Sequence, residues 1–153
     1  QQALTDYCQK GGSLFISGAY VGSDLWDNPM TNQTDKEFAT EVLKYKWRAG
    51  QAAIEGKVKS VTSPYSVLGI QYTYYNELNA ESYVVESPDA IEPATNEAFT
   101  ILRYSENNLS AGIAYKGKYK TFVTGFPFES LRSESERESL MKSVLDFFDS
   151  PTE

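Results

Sequence analysis

Two adjacent glycines, Gly11-Gly12, separate a helical pattern from an apolar strand, and that junction constrains the fold more than any other stretch. Before them Ala3, Leu4, Tyr7 and Cys8 recur at helical spacing. After them comes Ser13-Leu14-Phe15-Ile16-Ser17, short and mostly apolar. Glycine ends helices because it enters the left-handed conformation without a Cβ clash. An apolar run of this length without alternation reads as a strand buried on both faces. Helix, glycine stop and buried strand make half of a parallel-sheet unit, so the chain is expected to be an α/β domain. Gly18-Ala19-Tyr20-Val21-Gly22-Ser23-Asp24 is then the flexible loop at the strand's carboxyl end.

Further along, Thr34 with Glu37 forms a capping-box pattern, and Phe38, Ala39, Val42 and Leu43 give a second helix its apolar face. Residues 57–61 alternate like a half-exposed strand. Gln71-Tyr72-Thr73-Tyr74-Tyr75 reads as an edge strand and Tyr83-Val84-Val85 as a short one, with Pro88, Asp89 and Pro93 marking loop. Residues 99–104, 111–115 and 121–124 read as three strands. The turns between them, at Glu106-Asn107-Asn108 and Lys116-Gly117-Lys118, make the trio an antiparallel meander. Ser133 with Glu136 caps a closing helix whose Leu140, Met141, Val144, Leu145 and Phe148 face the core. The expected architecture is a three-layer α/β domain over residues 1–150, a mixed sheet with a C-terminal antiparallel meander and a closing helix. Because the first residues already read as helix, the chain reads as a mature fragment or a piece of a larger protein.

Composition narrows the function. The net charge of −7 disfavours a phosphate-backbone partner, and the one dense basic cluster, Lys44, Lys46 and Arg48 around Trp47, reads as a solvated helix end. Nucleic acid is therefore not expected, and no apolar run is long enough for membrane insertion as a helix. The chain has no histidine and one cysteine, Cys8, which lies on the apolar face of the first helix and reads as a buried thiol. The 11 tyrosines suit surfaces that pack a ring and keep a hydroxyl wet, as sugar-contacting domains do.

Two segments carry a family resemblance. One is the helix, Gly11-Gly12, and the strand ending Ile16-Ser17-Gly18. The other is residues 115–121, then Gly125-Phe126-Pro127-Phe128-Glu129 and the closing helix. Together they resemble the second half of a class I glutamine amidotransferase-like domain, which is flavodoxin-like. The closest flavour is the version found in secreted bacterial proteins labelled xanthan-lyase-like. The resemblance implies a catalytic cysteine where Ser17 or Gly18 stands, and a histidine near 125–129, where this chain offers only Glu129. A nucleophile needs an adjacent base, so the resemblance implies the fold and argues against that activity. It also implies parallel strands before residue 1, without which an unpaired strand edge would favour self-association.

Ser17, Gly18, Tyr20, Ser23 and Asp24 form the first-ranked ligand-binding site, because open α/β sheets bind ligands at strand carboxyl ends. Glycines 18 and 22 would let backbone amides approach an anionic or hydroxylated ligand. Glu129, from the second segment, is a further ligand-binding candidate. Tyr74, sharing a strand face with Tyr72, is a candidate aromatic platform for sugar, with packing against a helix as the plainer account. Glu86, Asp89, Glu92 and Glu129 offer carboxylates for glycoside cleavage, and Asp24 with Asp27 offers oxygen ligands to calcium. For both sets a solvated acidic surface is the plainer reading. Tyr20, Tyr74, Arg103 and Lys120 supply the residue types of a polysaccharide lyase without a spacing that unites them. No catalytic residue, metal ligand or cofactor is assigned. The expected function is a non-catalytic accessory or ligand-binding domain of a secreted, periplasmic or cell-surface bacterial protein. Its partners would be a carbohydrate and the other domains of the parent. The alternatives are a polysaccharide lyase or hydrolase, and a structural or oligomerising module.

Overall fold

The computed structural model describes residues 1–65 and 67–151. Helix α1 (Gln2–Gln9) stops at Gly11, whose φ of +90° lies in the left-handed region, and β1 (Ser13–Ser17) follows as expected. A one-turn helix α2 (Ser23–Trp26) closes the loop after β1. Helix α3 (Gln33–Glu37) runs directly into a π-helical turn, Phe38–Leu43. Its capping box sits two residues earlier than the sequence suggests. Asn32 Oδ1 accepts from the Asp35 amide and the Asp35 carboxylate accepts from the Asn32 amide, so asparagine is the cap rather than Thr34.

The chain leaves the π-helical turn through Lys44, at φ +69°, and enters β2 (Tyr45–Ala49). Of the basic cluster, Lys44 therefore caps a helical end as read, while Lys46 and Arg48 lie on a strand. Lys46 and Arg48 alternate to solvent while Tyr45 is buried, the period-two pattern of a one-sided strand. Its antiparallel partner is β5 (Ala90–Pro93), where the prolines and Asp89 suggested loop. Pro93 is tolerated because it closes the end of a strand in a two-stranded sheet.

The main sheet has six strands in the order β1-β8-β7-β6-β3-β4. It uses β3 (Lys57–Ser60), β4 (Gln71–Thr73), β6 (Ala98–Tyr104), β7 (Ser110–Lys116) and β8 (Lys120–Thr124). The meander β6-β7-β8 is antiparallel as read, and β1 pairs parallel to β8 with Phe15 opposite Phe122. Residues 83–85 form no strand, although Val85 is buried. Helix α4 (Glu134–Asp149) begins at the predicted box, with the Glu136 amide donating to Ser133 Oγ at 3.1 Å. Leu140 and Val144 enter the core, whereas Leu145 is 53% exposed and faces away from it.

The fold is thus a mixed α/β sheet with a C-terminal meander and closing helix. Two apolar clusters share it. Ala114 and Phe122 pack with Tyr72, Tyr104, Leu140 and Phe147 in one, while their strand neighbours Ile113 and Val123 pack with Phe38, Leu43 and Ile91 in the other. Consecutive residues of β7 and β8 feed different clusters because side chains alternate along a strand.

Candidate functional site

The loop after β1 is anchored by a residue from far along the chain. Asp89 is 0% exposed. Its Oδ2 accepts from the Gly22 amide at 2.8 Å, the Ser23 amide at 2.7 Å and the Ser23 hydroxyl at 3.1 Å. Its Oδ1 accepts from the Trp47 indole at 3.2 Å. Tyr45 donates its phenol to the Val21 carbonyl from below. The amides expected to meet an external anion are therefore already bonded to an internal carboxylate. That corrects the anion-binding expectation for Gly22 and Ser23. Burial pushes the Asp89 carboxyl above its ordinary value, outweighing the Ser23 and Gly22 amides, the indole and the hydroxyl, which pull it down.

Beyond this anchor, a crevice of about 490 Å³ opens at the carboxyl end of β1. It gathers Ser17, Gly18, Tyr20 and Asp24 from the first segment and Glu129 from the second, which are five of the seven proposed ligand residues. The apolar floor includes Ile16 and Leu25, and the two ends of the π-helical turn, Phe38 and Leu43, complete it. A volume of this size suits a small ligand. Among the described residues no lysine or arginine lines it.

Tyr83 is a polar lining residue that sequence reasoning missed. Its phenol donates to Glu129 Oε1 at 2.7 Å, joining the 83–85 segment to the turn after β8. Burial, then the hydrogen bond to Glu129, then that carboxylate's charge push the phenol well above its usual value. Tyr83 therefore keeps its proton at neutral pH and serves as a donor, not a base. Tyr20 and Tyr83 are 53% and 51% exposed, so both rings border the opening. The only sequence signal for Tyr83 was an aromatic residue beside two valines, which reads equally as a strand.

The other two predicted residues lie elsewhere. Ser23 instead lines an adjoining groove with Asp27, Asn28 and Arg48, which shares Tyr20 and Asp24 with the crevice. Tyr74 is 0% exposed and stacks on Phe126 with ring centroids 5.7 Å apart, so the aromatic-platform expectation is corrected to core packing. Tyr72 is buried with it. The bridge from Tyr74 to Leu131 lays the 130–132 segment against this end of the sheet, and the Tyr72 phenol meets the Ser139 hydroxyl of α4 at 3.4 Å.

Ser17 accepts from the Phe128 amide through its hydroxyl at 3.3 Å. Neither Ser17 nor Gly18 has positive φ, so the strained strand-to-helix elbow of a nucleophile is absent here. The lyase residue types do not converge: Tyr74 is in the core and Arg103 donates to the Asn108 carbonyl at 2.7 Å. Buried Lys120 donates to the Phe148 carbonyl at 2.6 Å. The carboxylates are similarly dispersed, with Asp89 in its cradle, Glu92 3.7 Å from Arg48, and Glu129 holding Tyr83. Asp24 and Asp27 share the adjoining groove, but among the described residues no three His, Cys, Asp or Glu side chains gather to hold a metal ion.

Among the described residues no helix is long and apolar enough to cross a membrane. No protein-family model matches the sequence, and no curated protein matches it.

Proposed function

We propose that this chain is a non-catalytic, ligand-binding accessory domain of a larger secreted bacterial protein, and that it holds a short carbohydrate in the crevice at the carboxyl end of β1. The observation that carries the reading is the make-up of that crevice. Two half-exposed tyrosines border an apolar floor, and carboxylate and hydroxyl groups sit around it without a nucleophile–base pair. Aromatic rings stack on the apolar faces of sugars while carboxylates and hydroxyls bond their hydroxyl groups. A flavodoxin-like three-layer arrangement belongs to the same proposal, supported by a β1 parallel to β8 and apolar clusters fed from both sides of the strands.

A glycan-array screen of the purified chain tests this, repeated with Tyr20→Ala and Tyr83→Ala. Specific binding that drops at least tenfold in both variants supports the crevice. Silence across all glycans, or binding untouched by both substitutions, rejects it. A second reading, a module that assembles through its sheet, is favoured by the β1 edge. That edge pairs on one side only, with β8, and carries neither charge nor proline.

A further inference from the structure

We infer that the crevice selects ligands bearing a protonated amine, an amino sugar rather than a neutral or acidic one. The inference rests on the carbohydrate reading above and narrows it by charge. Three features of the site point the same way. First, Asp24 and Glu129 both line the crevice, and among the described residues no lysine or arginine does. Second, the nearby cations are engaged elsewhere: Lys36 lies 5.6 Å over the Trp26 ring and Arg48 sits 3.7 Å from Glu92. Third, two amides of the adjoining loop, those of Gly22 and Ser23, are bonded to Asp89, itself a carboxylate, and do not face the crevice as donors.

A uronate or phosphate entering this space would meet the Asp24 and Glu129 carboxylates with no compensating lysine or arginine among the described residues, so it would lose hydration without regaining it. An ammonium group meets the reverse. Glu129 Oε1 accepts from Tyr83, and among the described residues no hydrogen bond engages its second oxygen. The faces of Tyr20 and Tyr83 add the attraction of aromatic rings for cations. Asp24, also in the lining, contributes charge without needing direct contact. Because Tyr83 retains its proton, its oxygen stays a hydrogen-bond donor to Glu129 and does not compete as a second anion.

The test is calorimetric titration of the chain at pH 6 with three matched oligosaccharides: glucosamine, N-acetylglucosamine and galacturonate oligomers of equal length. The glucosamine oligomer is expected to bind at least tenfold tighter than the acetylated one, with the galacturonate weakest. Glu129→Gln keeps the oxygen that accepts from Tyr83 and removes only the charge. It should lower glucosamine affinity about tenfold, equivalent to about 1.4 kcal/mol, and lower that of the acetylated oligomer by much less. Asp24→Asn should act in the same direction, and raised salt should weaken the glucosamine arm alone. Equal affinity for the amine and its acetylated form, insensitive to Glu129→Gln, overturns charge selection while leaving the carbohydrate reading intact. Tightest binding of galacturonate overturns it too. Binding of none of the three, with a folded far-ultraviolet spectrum, removes both.

Discussion

Asp89 shows how a single residue can organise a loop it is remote from in sequence. Its side chain gathers four donors from the β1–α2 loop and β2, and its backbone is equally engaged. Its amide donates to the Gly125 carbonyl at 2.8 Å, and its carbonyl accepts the Tyr104 phenol at 2.7 Å. A Cβ on Gly125 would lie 1.9 Å from the Asp89 carbonyl oxygen, so only glycine allows these backbones to approach. Asp89→Ala strands the Gly22, Ser23 and Trp47 donors without an acceptor. It should cost about 3 kcal/mol in urea denaturation, with Asp89→Asn costing less because one acceptor oxygen remains. The pH dependence has a definite sign. Burial raises the folded carboxyl above its ordinary value of about 3.9, so the folded state binds the proton more tightly than the unfolded chain. This contribution to stability is fullest below that ordinary value and is lost as pH rises through the folded one. The stability of the wild type relative to Asp89→Asn should therefore fall as pH rises from about 4, then level off. A gap that widens instead would show that the four donors outweigh burial.

Glu136 joins two elements at once. Its Oε2 accepts from the Ser133 amide at 3.4 Å, completing the α4 capping box, while its Oε1 accepts from the Thr73 amide at 3.1 Å. One carboxylate thus serves a helix start and the outer side of β4. Removing the Ser133 cap alone should cost about 1 kcal/mol. Glu136→Ala should cost about twice that, because a strand amide loses its partner as well. The two variants' melting temperatures check this, and equal losses would show that the Thr73 bond contributes nothing. The same elements explain which predictions succeeded. The α4 box and the β6-β7-β8 meander were legible because their signals are local: a cap three residues from its partner, and turn residues between alternating runs. Strands β2 and β5 were not, because each is short, lies beside proline or charge, and exists through pairing across more than 40 residues of sequence.

At the scale of the molecule, the two apolar clusters draw on neighbouring residues of the same strands, so neither can lose its packing while the other keeps it. Both tryptophans, Trp26 and Trp47, lie on the side of the β1–α2 loop and β2, whereas α4 packs on the other cluster. Thermal unfolding followed by tryptophan fluorescence and by far-ultraviolet circular dichroism should therefore give coincident midpoints. Separated midpoints would mean that the β2–β5 side melts as its own unit. Sequence alone determined the α/β class, the Gly11 helix stop feeding an apolar strand, the closing meander and helix, and the lack of any histidine for imidazole chemistry. It also marked the β1 loop and Glu129, which the fold brings into one crevice. Tertiary structure alone decided that Tyr74 faces inward, that Tyr83 borders the crevice, and that Asp89 fills the amides of the loop. Periodicity reports which residues share a face of one element, but not which face another element will cover. An aspartate reads as solvated until the fold surrounds it with donors.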